Sequence, residues 1–274
     1  MAITASQVNE LRKKTGAGMM DCKKALVEAD GDIEQAIDLL RKKGQKVAAK
    51  RGDNEAKEGV IFAQAEGDKG YILQLNCETD FVAKNEDFRN FVQSLLDVGI
   101  KNDVDSAEKL MGLQYNDKLS VEEKITEQIG VIGEKLDLSN FAKITSEAVV
   151  AYNHPGNQLA ALVALNKSGD SVEEAGKQVA MQVAAMNPVA LNKDGVDQET
   201  IDRELAIGKE QAIEEGKPAE LAEKISHGRL NKFFKENTLM SQAFVRDNKK
   251  DVSQFLNDTE SGLTVTAFKR FSLS

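Results

Sequence analysis

The chain has 274 residues, 41% of them hydrophobic and 30% charged, the balance of a soluble globular protein with room for two domains. No apolar run approaches the roughly 20 residues that a membrane span needs. A formal charge of −9 gives no overall electrostatic reason to bind phosphate backbones, which argues against direct nucleic-acid binding.

The opening stretch MAITASQVNELRKK has no h-region, so the expected location is cytoplasmic. Residues 1–44 read as a compact helical unit. Thr4 and Gln7 fit a capping box before a helix that starts near Ala5 and buries Val8 and Leu11, and Gly16 suits its left-handed stop. A second helix is expected from about Met20 to Ala29. Asp32 then caps a third, with Gln35 in the capping-box place and Ile33, Ala36, Ile37 and Leu40 as its apolar stripe. The apolar supply is thin, as in a marginally stable module. Residues 45–58 are charged, lack a sustained apolar period, and read as a linker that is in part helical.

From residue 59 the period changes. GVIFAQAE and GYILQLNC are strand-like runs joined by GDKG, a hairpin signal. FRNFVQSLLDVGI has helical spacing, and Ser120 with Glu123 opens another helix that buries Val121, Ile125 and Ile129. A strand pair recurs in SEAVVAYN and QLAALVALN around the turn HPGN, followed by the helix VEEAGKQVAMQVAAM. An offset of 90 residues lays YILQLN on ALVALN, and the following helices superpose without a gap. Residues 59–140 and 141–190 are therefore expected to be two related β-β-α halves of one α/β core. Residues 191–239 hold two matched helical stretches around GKP, with Ile201, Leu205, Ala212, Leu221, Ile225 and Leu230 as a seam, which predicts an antiparallel helical hairpin. Residues 240–274 return to the core and end in the strand GLTVTAFKRFSL. The expected class is α+β.

The stretch NCETDFVAK places Phe81 at a strand-to-helix turn, where polar residues are usual. The same offset pairs Asp80 with Asp170, each read as a helix N-cap, and pairs Phe81 with Ser171, so the shared pattern does not require an aromatic. Phe88 lies seven residues on, which would let Phe81 join the buried stripe of one helix. Lys84 and Asn85, however, deny Phe81 an apolar neighbour one turn away. On chemistry alone, core packing and an exposed anchor for a partner both stay open.

Nothing assembles a catalytic or metal site. Cys22 and Cys77 lie 55 positions apart with no CxxC pattern and read as small buried or half-buried thiols in a reducing compartment. Of the two histidines, His154 sits in a turn and His227 in a helix, without a second His four residues away. TGAGMMDCKK has no preceding strand and the wrong spacing for a phosphate loop. The chain is expected to be no enzyme and to hold neither cofactor nor metal.

Two segments decide the reading. LRKKTGAGMMDCKKAL, residues 11–26, and LNCETDFVAKN, residues 75–85, closely resemble the two signature segments of the bacterial elongation factor Ts family. The resemblance implies a ubiquitin-associated-like (UBA-like) three-helix N-terminal domain over residues 1–44 and a linker over 45–58. It also implies a two-part core with a coiled-coil hairpin inserted in its second half. The implied function is guanine-nucleotide exchange on elongation factor Tu, with Thr79, Asp80, Phe81 and Val82 intruding near the partner's magnesium site. Arg12, Met19 and Met20 would dock the N-terminal domain on the GTPase domain, although packing within the bundle stays open for one of the methionines. His154 is a further candidate contact, against the alternative of a locally hydrogen-bonded turn residue. The partner would be met both GDP-bound and nucleotide-free, and a dimer of such pairs stays open. A scaffold or chaperone-like adaptor that leaves the nucleotide untouched is the alternative class.

Overall fold

The computed structural model describes residues 3–273. Three helices come first: α1 (Ala5–Thr15), α2 (Met19–Glu28) and α3 (Ile33–Arg51). Thr4 and Gln7 form the reciprocal cap of α1, with the Gln7 N–H donating to Thr4 Oγ1 at 3.3 Å and Thr4 N–H donating to Gln7 Oε1 at 3.0 Å. Gly16, at φ +72°, ends α1 in the left-handed conformation open to glycine. Leu11, Cys22, Leu26 and Ala36 fill the small core between them. Helix α3 does not stop where its charged stretch begins. It continues to Arg51 because Val47 and Ala48 pack against the neighbouring core cluster.

The hairpin of β1 (Glu58–Glu66) and β2 (Lys69–Cys77) turns through Gly67, whose φ of +60° suits the first position of a type II′ turn. Helices α4 (Asp80–Lys84), α5 (Glu86–Lys101), α6 (Ala107–Met111) and α7 (Val121–Ile132) follow, then β3 (Asp137–Thr145), which joins β2 to give the order β1-β2-β3. A second hairpin, β4 (Ala148–Asn153) and β5 (Leu159–Leu165), leads into α8 (Asp170–Met186). After α9 (Gln198–Glu214) and α10 (Ala219–Asn237) come the short strands β6 (Ala243–Phe244) and β7 (Asp247–Asp251) and helix α11 (Val252–Thr259). Strand β8 (Val265–Ser272) closes the second sheet in the order β4-β5-β8, antiparallel to β5.

Strand periodicity explains the layering. On β1 and β2, Val60, Leu73 and Leu75 face α5 and α7, while Ile61, Ala63 and Ile72 face the other sheet. On β5, Ala160, Leu162 and Ala164 meet that inter-sheet layer, and Ala161, Val163 and Leu165 face α8. The result is helices, sheet, sheet and helices, in that order. Both central strands are buried on two faces, which is why YILQLN and ALVALN are nearly continuous apolar runs. The offset of 90 residues also carries the first helical residue of α4, Asp80, onto that of α8, Asp170.

Three details differ from the sequence reading. Asp80 is not an N-cap: α4 is capped by Thr79, whose Oγ1 accepts from Val82 N–H at 3.4 Å, and α8 starts after Gly169 without a side-chain cap. Phe81 and Phe88 do not share a helix, because Asn85 caps α5 separately through Asp87 N–H at 2.8 Å. Along the α9–α10 seam, Leu221 is 45% exposed and the buried residues are Gly208, Ala212, Ala222, Ser226 and Leu230. The helices approach so closely that a Cβ built on Gly208 would lie 3.2 Å from Ser226 Cα, leaving room for small residues. Gly216, at φ +80°, and Pro218 turn one helix into the other, and Val189 N–H to Asn237 O (2.9 Å) closes the base of the pair.

No helix among the described residues is long and apolar enough to cross a membrane.

Candidate functional site

Strand β2 is central in its sheet and ends at Cys77, so its end is held in place, and the chain turns at once into the five residues of α4. Thr79 starts that turn with extended backbone (φ −125°, ψ 152°). Val82 is half-buried against the core cluster and Ala83 is buried, so one side of α4 faces inward. Phe81 points the other way and is 83% exposed. An aromatic ring left in water at the tip of a fixed turn is a sharp departure from burial as the default for Phe.

The charges around it are ordered. Asp80 accepts from Lys84 Nζ at 2.6 Å, one helical turn on, and that hydrogen bond holds the Asp80 carboxyl below its usual range. The Asp80 carboxylate therefore stands ionised beside the Phe81 ring. Thr79 faces the other way: its N–H and that of Glu78 donate to Glu134 Oε2 at 3.0 and 3.1 Å, and its hydroxyl donates to Glu134 Oε1 at 2.7 Å. Burial would raise the Glu78 pKa, but donation from Lys135 N–H (2.6 Å), Arg51 Nη1 (2.8 and 2.9 Å) and Asn54 Nδ2 (3.0 Å) outweighs it and lowers it. Cys77 Sγ donates to Thr79 O at 3.2 Å, and burial, then the Glu134 charge, push its thiol up to about 12. Both cysteines are free and buried, and Cys77 stays a protonated structural thiol.

In the N-terminal unit, Met19 and Met20 are 55% and 62% exposed at the start of α2, so neither packs in its core. Arg12 is exposed near the end of α1. Where this unit meets the core lies an open groove of about 750 Å³, lined by Gly16 from the N-terminal unit and by Val82, Phe88, Phe91, Tyr115 and Val131 from the core. The loop after α1 and the Phe81 turn therefore border one depression. His154 does not line it. Its ring is exposed in the β4–β5 turn, Nδ1 lies 2.9 Å from Tyr152 Oη, and its backbone N–H donates to Leu159 O at 2.9 Å.

The polar supports at Glu78, Glu134 and Arg51 escape a reading by sequence. They are 27 and 56 positions apart along the chain, and no local spacing links them. The one usable signal is Gly133, a helix stop at φ +82°, which places the next residue at a turn. Among the described residues no group of three His, Cys, Asp or Glu could hold a metal ion.

A family model described as Elongation factor TS matches residues 78–274. Curated relatives match over nearly the whole chain. A protein named Elongation factor Ts from Christiangramia forsetii is 53% identical over 273 residues, covering 99% of this chain and 98% of the relative. One of the same name from Amoebophilus asiaticus is 53% identical, covering 98% of each, and one from Cytophaga hutchinsonii is 50% identical, covering 99% of each.

Proposed function

The chain belongs to the elongation factor Ts family, and from that premise we propose that it acts in translation elongation, in the cytoplasm, as the guanine-nucleotide exchange factor of elongation factor Tu. The observation that carries this is Phe81, exposed beside an ionised Asp80 on a turn pinned from below. In a GTPase, Mg²⁺ offsets the charge of the nucleotide's phosphates, and a fixed network of side chains and waters holds its shell. An aromatic ring and an acid pushed beside that network displace the groups supporting the metal, and phosphate binding weakens. A thousandfold faster release needs the barrier lowered by about 4 kcal/mol. The work is done by binding energy, so this protein needs no acid, base or cofactor of its own.

In this reading Thr79, Asp80, Phe81 and Val82 are the intruding segment. Arg12, Met19 and Met20 dock the N-terminal unit, which we read as UBA-like, on the GTPase domain. Two exposed, adaptable methionines at a helix start support that role. The α9–α10 pair is read as a coiled-coil hairpin inserted in the second of two related core halves. Its polar exterior suits projection from the body. His154 remains a candidate contact because its ring is exposed, although both its backbone N–H and its Nδ1, paired with Tyr152 Oη, are bonded locally. Coupling is reciprocal: a factor that loosens GDP is itself loosened by GDP, so it binds nucleotide-free elongation factor Tu most tightly.

Stopped-flow release of fluorescent GDP from elongation factor Tu tests the proposal. Sub-stoichiometric amounts of this chain are expected to accelerate release. Binding without acceleration would leave the scaffold or adaptor reading in its place.

A further inference from the structure

Helix α4 has five residues, of which only Ala83 is buried. A helix this short has little stability of its own, and an exposed ring gains no orientation from packing. Whatever holds Phe81 in one direction must therefore act at the base of the turn. Three segments far apart in the chain meet there.

From the first, Arg51 ends α3 and donates from Nη1 to both oxygens of Glu78 at 2.9 and 2.8 Å. From the third, the two residues after Gly133 act in opposite senses. Lys135 donates its N–H to Glu78 Oε1 at 2.6 Å and its Nζ to Gly52 O and Asn54 O at 2.7 and 3.0 Å. Glu134 accepts from both backbone N–H groups of Glu78 and Thr79 and from the Thr79 hydroxyl. The last bond has a chemical consequence. A hydroxyl has one proton, and committing it to Glu134 at 2.7 Å leaves the lone pairs of Thr79 Oγ1 to accept from Val82 N–H and cap α4. Charge-assisted bonds to a carboxylate are the stronger kind, so the orientation is well fixed.

We propose that Glu134 is the positioning residue of the Phe81 turn. Its carboxylate, backed by the Glu78–Arg51 pair, clamps the base of α4 and presents Phe81 in one orientation to the partner GTPase. This rests on the exchange reading above. It adds that the direction of the ring is set by a carboxylate more than 50 positions away on the turn after α7. The same clamp ties the last turn of α3, and through it the N-terminal unit, to the segment that enters the partner.

The test is GDP release from elongation factor Tu over a range of concentrations of the full chain, for the parent, Glu134→Ala, Glu134→Gln, Phe81→Ala and the Glu134→Ala/Phe81→Ala pair. Mispositioning rather than loss of contact is expected to lower the maximal rate of Glu134→Ala about tenfold while the half-saturating concentration stays put. Glu134→Gln keeps the volume and one acceptor oxygen, and is expected to recover part of the rate. It also serves if Glu134→Ala folds poorly. Because Glu134 acts through Phe81, the double variant should be no slower than Phe81→Ala alone. A parental rate in both Glu134 variants beside a slow Phe81→Ala overturns the clamp and leaves exchange intact. Effects that multiply in the double variant, or a loss confined to half-saturation, overturn it too. If the parent chain accelerates nothing, the exchange reading fails and the clamp falls with it.

Discussion

Phe81→Ala and Phe88→Ala remove the same ring from neighbouring helices in opposite surroundings. Phe88 is 3% exposed in the main core cluster, and Phe81 is 83% exposed. Truncating a buried Phe typically costs about 3–5 kcal/mol. Phe81 hides only the remaining sixth of its surface, so its share of a full burial worth up to about 3 kcal/mol is near 0.5 kcal/mol. Alanine's better helix propensity returns about 0.5 kcal/mol, which brings the net close to zero. Urea denaturation followed by circular dichroism should therefore leave Phe81→Ala on the parent's curve and shift Phe88→Ala to markedly lower urea. Stopped-flow GDP release on the same preparations should find Phe81→Ala strongly impaired. A loss of more than about 2 kcal/mol in Phe81→Ala would mean the ring is part of the core. Parental stability with parental release would remove it from the mechanism.

Gly130→Ala would place a Cβ 2.5 Å from Gly44 Cα, where α7 crosses α3. Backbone cannot yield as a side chain does, so a cost of about 1–3 kcal/mol and a lower melting midpoint are expected, and an unchanged midpoint would contradict the close crossing. Asp103 accepts from Lys143 Nζ (2.7 Å), Tyr71 Oη (2.5 Å) and Lys69 Nζ (3.2 Å), bonds that hold its carboxyl well below the usual range. Its folded pKa is depressed, so its stabilisation is present at neutral pH and is lost as pH falls below the ordinary aspartate range. Asp103→Asn should melt lower than the parent at pH 7, with the gap narrowing below about pH 4; a pH-independent gap would refute this. Replacing both Met19 and Met20 by Ser should raise the half-saturating concentration for exchange and leave the melting midpoint nearly unchanged; a large drop in the midpoint would return one of them to the bundle core.

Much of the fold is legible because short-range rules set it. Thr4–Gln7 and Ser120–Glu123 form the reciprocal capping boxes their spacing predicts, Asp32 caps α3 through Gln35 N–H without the return bond, and the two apolar hairpins pair as sheets. Strand β3 is not legible. DLSNFAKIT mixes polar and apolar residues with no clean alternation, and its partners on β2 run from Asn76, opposite Asp137, back to Lys69, opposite Thr145, with a register shift at Gln74/Leu75. Strand β6 is only the two residues Ala243 and Phe244, and β7, DNKKD, is wholly polar, so neither carries a hydrophobic period. The seam of α9 and α10 is legible in part: Ala212 and Leu230 are buried as expected, but Leu221 is exposed, because the close approach at Gly208 selects the small residues Ala222 and Ser226. At the site, the break at Asn85 was readable from Asn followed by Glu86 and Asp87, a helix-start pattern, and it settles that Phe81 leaves the α5 stripe. For Glu134 the sequence marks only a turn, through Gly133, and not its role, since its partners are assembled by tertiary structure.

The most direct test of the magnesium-site account is GDP release from elongation factor Tu measured four ways: with and without this chain, each in excess Mg²⁺ and in excess EDTA. If Phe81 and Asp80 act by undoing the metal's support, EDTA alone speeds release, and the chain's acceleration is large with Mg²⁺ and much smaller once the metal is gone. An acceleration of the same factor in both conditions, or none with Mg²⁺ present, would contradict the account.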